Sequence, residues 1–160
     1  MSVWFTSDLH FHHQGICKHR GFDSMDEHDY TLVENINKAV NKRDKLYLLG
    51  DIVWSRGGLK WLANIQCQNI EMIYGNHDQI PATELLKYVQ KLHGFRQYKN
   101  YWLSHCPIHP QELYRCKANI HGHIHKGAAT DRILDDRYIC VNPEFWNLSP
   151  VSFDYIEARL

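Results

Sequence analysis

The sequence predicts an α/β fold: a mixed or parallel sheet packed against a second sheet, with helices outside. Three observations predict it. Strand-like apolar runs alternate with helical patterns in the first half of the chain, and strand-like runs dominate the second half. Several of these runs stop abruptly at short polar blocks, as strands do when their carboxyl ends line one crevice. The 160 residues suit one core and contain no repeat, low-complexity tract or Pro/Gly/Ser linker, so residues 1–160 read as a single domain.

Taken in order, Ser2 to Ser7 reads as a first strand and Asp8 to His13 as a polar loop. Asp26 to Asn41 is helical, with Asp26 as its cap and Leu32, Val33, Ile36 and Val40 recurring at helical spacing. Lys45 to Leu49 is a short continuous apolar run, the pattern of a strand buried on both faces, and it stops at Gly50-Asp51. Leu59 to Ile65 reads as a short helix. Asn69 to Tyr74 is another strand, stopping at Gly75-Asn76-His77-Asp78. Pro81 suits the first position of a helix reaching about His93, with Leu85, Leu86, Val89 and Leu92 as its apolar face. Phe95 to Tyr98 and Tyr101 to His105 read as a hairpin turning at Lys99-Asn100. Ala118 to His121, Tyr138 to Val141 and Val151 to Ile156 complete the strands.

Composition excludes several classes. Eighteen basic and eighteen acidic side chains cancel, so the chain lacks the basic surplus of a general nucleic-acid binder, which weighs against long duplex DNA or RNA as partner. No run approaches a membrane span, and no basic segment followed by a long apolar stretch opens the chain, so no signal peptide is expected. The five cysteines (Cys17, Cys67, Cys106, Cys116 and Cys140) are odd in number and form no C-x-x-C pair. They read as reduced thiols of a cytoplasmic protein, with Cys140 a small buried group.

Histidine is the compositional outlier, with twelve residues. Many cluster beside acidic groups: His10, His12 and His13; His105 and His109; His121, His123 and His125. Single histidines often sit on surfaces or in satisfied cores, but histidine is also the commonest metal ligand. Asp8-x-His10, Gly50-Asp51, Gly75-Asn76-His77-Asp78, His105 and Gly122-His123-Ile124-His125 each follow or end a strand-like run. Together Asp8, His10, Asp51, Asn76, His105, His123 and His125 offer oxygen and imidazole donors and no thiolate, a mixture that suits manganese, iron, zinc or nickel. Two divalent ions, less two carboxylates and a bridging hydroxide, leave a net positive site fit for phosphate, and a pair about 3.5–4 Å apart can hold both the attacking and the phosphoryl oxygens.

These blocks, in this order, resemble the calcineurin-like metallophosphoesterase superfamily, over Asp8 to His125. The resemblance implies an α/β/β/α two-sheet sandwich and a dinuclear, metal-dependent phosphoesterase. It implies that Asp8, His10 and His125 hold one metal, that Asn76, His105 and His123 hold the second, and that Asp51 bridges them. It makes His77 the general acid at the leaving-group oxygen, with Asp78 orienting its ring. A histidine near paired cations titrates easily, and a neighbouring carboxylate can keep it protonated. Gly50, Gly75 and Gly122 would allow sharp turns and close backbone approach. Two segments depart from the usual pattern: Ser104 precedes His105 where glycine is frequent, and Asp51 continues into Ile52-Val53-Trp54-Ser55-Arg56. The opening Ser7-Asp8-Leu9-His10-Phe11-His12-His13 and the run Asn142 to Val151 are similar to a small bacterial and phage branch of that superfamily.

His13, Arg20 and Arg56 are candidates for gripping phosphate oxygens, against the ordinary alternative of a loop histidine and solvated arginines. His109 and His121 are either supporting partners behind the ligands or packing residues. His19, His28 and His93 read as surface residues. Trp61, Trp102 and Trp146 read as packing residues, whereas Trp54, so soon after Asp51, could wall the cleft. The expected substrate is a small phosphorylated or nucleotide-like compound, a monoester or a diester. A nuclease acting on single strands and a Ser/Thr-type protein phosphatase are the alternatives. A non-catalytic binding module would be expected to lack ligands or His77, and a structural zinc site would be closed and cysteine-containing.

Overall fold

The computed structural model describes residues 1–127 and 135–160. Its first sheet is built from β1 (Val3–Thr6), β2 (Lys45–Leu49), β3 (Asn69–Ile73) and β4 (Lys91–His93), all parallel, with β9 (Val151–Ser152) antiparallel at the far edge. The order is β4-β3-β2-β1-β9. The second sheet has the order β5-β6-β7-β8, formed by β5 (Arg96–Tyr98), β6 (Tyr101–Leu103), β7 (Ala118–His121) and β8 (Tyr138–Cys140). Only the β5–β6 pair is antiparallel there.

Strand alternation divides the core in two. Leu46, Leu48, Ile70 and Met72 face the helices α2 (Met25–Ala39) and α3 (Leu59–Ala63), meeting Leu32, Ile36 and Leu62. Phe5, Tyr47, Leu49 and Ile73 point the other way, into a core shared with Tyr101, Leu103, Ala118 and Ile120 of the second sheet. Burial on both faces explains the unbroken apolar run of β2. Each large side chain buried this fully contributes roughly 1.5–3 kcal/mol of transfer free energy, so the sandwich holds the strand ends firmly in place.

Helices cover the first sheet, but among the described residues the outer face of the second sheet carries no α-helix. Residues 106–117 lie there instead, with a 3-10 turn at Pro110–Leu113. Trp102 Nε1 donates to Glu112 O (3.1 Å), the Tyr138 hydroxyl donates to Ile108 O (2.9 Å), and Ile108 N donates to the buried Asn119 (3.0 Å). Thus the layers seen are helix, sheet and sheet, and a loop stands where a fourth, helical layer was expected.

Local boundaries also differ from expectation. Helix α2 is capped by Ser24, whose hydroxyl accepts from Glu27 N (3.4 Å), leaving Asp26 in the first turn. A short helix α1 (Gln14–His19) occupies part of a stretch left unassigned by periodicity, and His13 caps it through Nδ1 (Ile16 N, 3.0 Å). The helix expected from Pro81 to His93 ends early: α4 is only Ala82–Leu85. Lys91–His93 pairs with the open edge of β3, because the backbone groups of that edge need partners and Leu92 fits beside Met72. The strand expected from Val151 to Ile156 stops at Ser152, whose hydroxyl accepts from Tyr155 N (3.2 Å) and caps α5 (Phe153–Arg159).

Candidate metal centre

All five polar blocks lie just beyond the carboxyl ends of parallel strands: Asp8 and His10 after β1, Asp51 after β2, Asn76 after β3, His105 after β6, and His123 and His125 after β7. The two sheets therefore bring the groups to one end of the inter-sheet core. Backbone bonds tie the blocks together: Asp8 N donates to Gly50 O (2.8 Å), His10 N to Asp51 O (2.9 Å) and Gly122 N to His105 O (2.9 Å). His123 N crosses between the sheets to Asp8 Oδ2 (2.9 Å).

Four of the donor residues have left-handed backbone: Asp8 (φ 49°), His10 (φ 48°), Asp51 (φ 54°) and His123 (φ 69°). Non-glycine residues adopt this region rarely, and such outliers cluster at functional sites. Two glycines make the approach possible. A Cβ on Gly50, itself at φ 85°, would lie 2.4 Å from His105 Nδ1, and one on Gly122 would lie 2.5 Å from Asp8 Oδ2.

Two groups of donors result. In the first, His10 Nε2 is 3.9 Å from Asp8 Oδ1, and His125 Nε2 is 3.8 Å from the same oxygen. In the second, His105 Nε2 lies 3.0 Å from Asn76 Oδ1 and 3.3 Å from His123 Nδ1. Asp51 Oδ2 stands between them, 3.8 Å from His10 Nε2 and 3.3 Å from His105 Nε2.

The ring orientations are set from behind. His105 Nδ1–H donates to Leu49 O (2.9 Å), and His125 Nδ1–H donates to Glu144 Oε1 (2.7 Å), so both rings present Nε2 to the cluster. Glu144 also accepts from Arg20 Nε (2.9 Å) and Lys126 N (2.8 Å). Burial pushes its carboxyl up, but the bond from His125 and the Arg20 charge hold it at about 2. Nothing in the local pattern of Asn142-Pro143-Glu144 marked this role; only the fold joins it to His125. Cys140, expected to be buried, is half-buried and approaches Gly122 O and Ile124 O.

The electrostatics are those of a cluster short of positive charge. Burial raises Asp8 to about 6. Burial presses His105 down, yet the bond to Asp51 and the Asp8 charge lift it to about 9. Burial pushes Asp51 up, but His105 holds it at about 2. His10 is driven to about 2 by burial, and among the described residues neither of its buried ring nitrogens has a hydrogen-bond partner. A neutral imidazole left unpaired in a core costs about 1–3 kcal/mol. At about 9 His105 holds a proton on Nε2 as well, facing Asn76, His123 and Asp51, a positive charge where a cation would otherwise sit. A cation among these donors would give His10 a partner and take over the charge that the His105 proton supplies, and the donor set, oxygen and imidazole without a required thiolate, fits divalent ions of the first transition row.

The remaining candidates divide. His77 is exposed at the mouth, its amide held by Asp51 Oδ1 (2.8 Å) and its ring 6.0 Å from that of His10. Asp78 does not orient that ring. Its carboxylate accepts from the amides of Asp51 (2.7 Å), Ile52 (2.9 Å), Val53 (3.3 Å) and Gly75 (2.8 Å), which makes it the clasp of the Asp51 loop. His13 lies beside the centre, 5.6 Å from His10 ring to ring. Arg20 is committed elsewhere: its side chain is 2% exposed and donates to Glu144, to Asp8 O (2.7 Å) and to Asn142. It therefore shapes the Asp8 turn, and each of its three side-chain nitrogens is engaged by the protein itself. Arg56 is exposed and pairs with Glu84 (3.3 Å).

His28, expected on the surface, is fully buried. Its Nδ1–H donates to Asp29 Oδ1 (2.7 Å), and Asp29 Oδ2 accepts from His12 N (2.8 Å), so α2 anchors the loop after β1. His19 is exposed, and His93 bonds Glu71 (2.8 Å). His121 is buried, with Nδ1–H donating to Gly122 O (2.8 Å), which steadies the turn before His123. His109 is exposed and caps the 3-10 turn, away from the cluster.

No family model matches the chain. It is 30% identical to the uncharacterized protein MJ1445 of Methanocaldococcus jannaschii, over 96% of this chain and 88% of that protein. It is 40% identical to the gene 66 protein of Mycobacterium phage D29 over 49% of this chain and 41% of the phage protein. The crystal structure of AQ665 from Aquifex aeolicus, a protein of unknown function, superposes with a TM-score of 0.74 at 26% identity, covering 99% of both chains. No helix among the described residues is long and apolar enough to cross a membrane.

Proposed function

We propose that this chain, which belongs to the family of the uncharacterized archaeal protein MJ1445, is a dinuclear metal-dependent phosphoesterase of the calcineurin-like type, its two-sheet sandwich a version of that class's fold with a loop in place of the outer helical layer. The observation that carries this reading is the pair of donor groups joined by Asp51, whose Oδ2 is 3.8 Å from His10 and 3.3 Å from His105. Asp8, His10 and His125 would hold one divalent cation, Asn76, His105 and His123 the other, and Asp51 both. Manganese is the favoured ion, with nickel, iron or zinc as substitutes. When bound, such a pair supplies Lewis acidity toward phosphoryl oxygens and a hydroxide nucleophile at neutral pH.

The chain's own residues supply the rest. Asp78 clasps the Asp51 loop through three of its amides and ties it to its own turn through the Gly75 amide, which would fix the bridging carboxylate. His77, tethered by its amide to Asp51, stands at the mouth as general acid. It gives a proton to the leaving oxygen as the P–O bond breaks and the bonding pair stays on that oxygen. Arg20, Glu144, His28 and Asp29 keep the Asp8 turn and His125 in register. The test is turnover of paired chromogenic monoester and diester phosphates with manganese, nickel and zinc added separately. Metal-dependent release of chromophore supports the proposal. No turnover of either ester with any of the three metals counts against it.

A further inference from the structure

Trp54 is out of place for a packing residue. It is 40% exposed, and an indole left this open to water forgoes much of the burial that stabilises aromatic side chains. Yet its backbone is tied down on both sides. Trp54 N donates to Phe11 O (3.0 Å), the preceding Val53 pairs with Phe11 and is held by Asp78, and the following Ser55 hydroxyl lies 2.7 Å from His12 Nδ1. The ring sits at the mouth of the metal centre: 3.7 Å from the His13 ring, 5.1 Å from His77 and 6.2 Å from His10, tilted against each. The loop that carries Asp51 thus also presents a rigid aromatic platform beside the proposed acid.

From this juxtaposition, and resting on the phosphoesterase reading, we infer that Trp54 is a stacking platform that selects phosphoesters whose leaving alcohol carries a planar ring, a nucleoside in chemical class. The side of the platform decides which group stacks. His77 protonates the leaving oxygen, and Trp54 is the large aromatic ring beside His77, so a ring resting on Trp54 belongs to the departing alcohol. Stacking reads the flat face of any base and gives little discrimination among bases. With equal numbers of acidic and basic residues, the chain lacks the overall basic surplus that binding to many phosphates calls for, which favours a single nucleotide over a polymer.

The experiment is calorimetric binding of adenosine 5′-monophosphate and of ribose 5-phosphate to the manganese-loaded chain, to Trp54→Ala and to Trp54→Phe. The native chain is expected to bind the adenine-bearing ester about tenfold more tightly or better, the usual worth of one aromatic stack. Trp54→Ala should erase the preference and Trp54→Phe should keep most of it. Equal affinity of the native chain for both compounds, a preference that survives in Trp54→Ala, or binding of neither compound overturns the inference. Phosphate release from the same compounds is measured in parallel. A base preference in binding without hydrolysis of these or the chromogenic esters would remove the enzyme proposal and leave the platform standing.

Discussion

One buried polar cluster lies on the first sheet and another where the ends of both sheets meet, and they are built on opposite principles. Around Glu71, in the middle of β3, a single carboxylate is met by Lys45, His93 and Arg96, with Lys91 at 3.8 Å. Burial pushes Glu71 up, and the bonds from Lys45 and His93 bring it below its usual range. Cations of the chain itself answer its charge. At the carboxyl ends of the strands the donors outnumber the cations: Asp8, Asp51 and four imidazoles face one another, Arg20 is turned toward Glu144, and His10 has no hydrogen-bond partner among the described residues. The first cluster is complete as folded. The second is left open as folded, and the proposed pair of cations would complete it.

Substitutions can break or sharpen that contrast. Asp51→Asn should have the largest effect: metal loading, read by elemental analysis, should fall by more than the roughly 10- to 100-fold that losing a supporting partner costs, and turnover should vanish. His77→Ala should lower kcat about 10²- to 10⁴-fold with metal content unchanged. If metal were instead retained in Asp51→Asn and lost in His77→Ala, the assigned roles would be inverted. Glu144→Gln removes the acceptor behind His125, and metal affinity should drop about 10- to 100-fold in calorimetric titration.

Glu144 carries a pH signature as well. Its folded value, about 2, lies below the ordinary 4.5, so its contribution to stability is fully present above pH 4.5 and is lost as the pH falls toward 2. Acid unfolding of Glu144→Gln, followed by circular dichroism, should be flatter than that of the parent in this window. The smallest effect on the metal centre should come from Glu71→Gln. Breaking that buried network should cost about 3–5 kcal/mol in denaturant unfolding while metal affinity stays within twofold of the parent, about the scatter expected for distant sites.

The same contrast explains what the sequence disclosed. Strands β2 and β3 announce themselves because both faces are buried, and the donor residues announce themselves because each follows such a run. Supporting residues were illegible. Glu144, Arg20 and Asp29 touch their partners across large separations in sequence, and no local spacing encodes such a contact. Lys91–His93 lacks a strand pattern of its own and becomes one because the edge of β3 is open. Trp54 was legible only as a possibility, since exposure belongs to the fold and not to the residue type.

The most direct measurement is a calorimetric titration of the metal-free chain with manganese, repeated on Asp51→Asn. Two ions per chain, with both events weakened together by loss of the carboxylate they share, is the result this arrangement predicts. A chain that takes up no ion, or whose uptake is indifferent to Asp51, would contradict it.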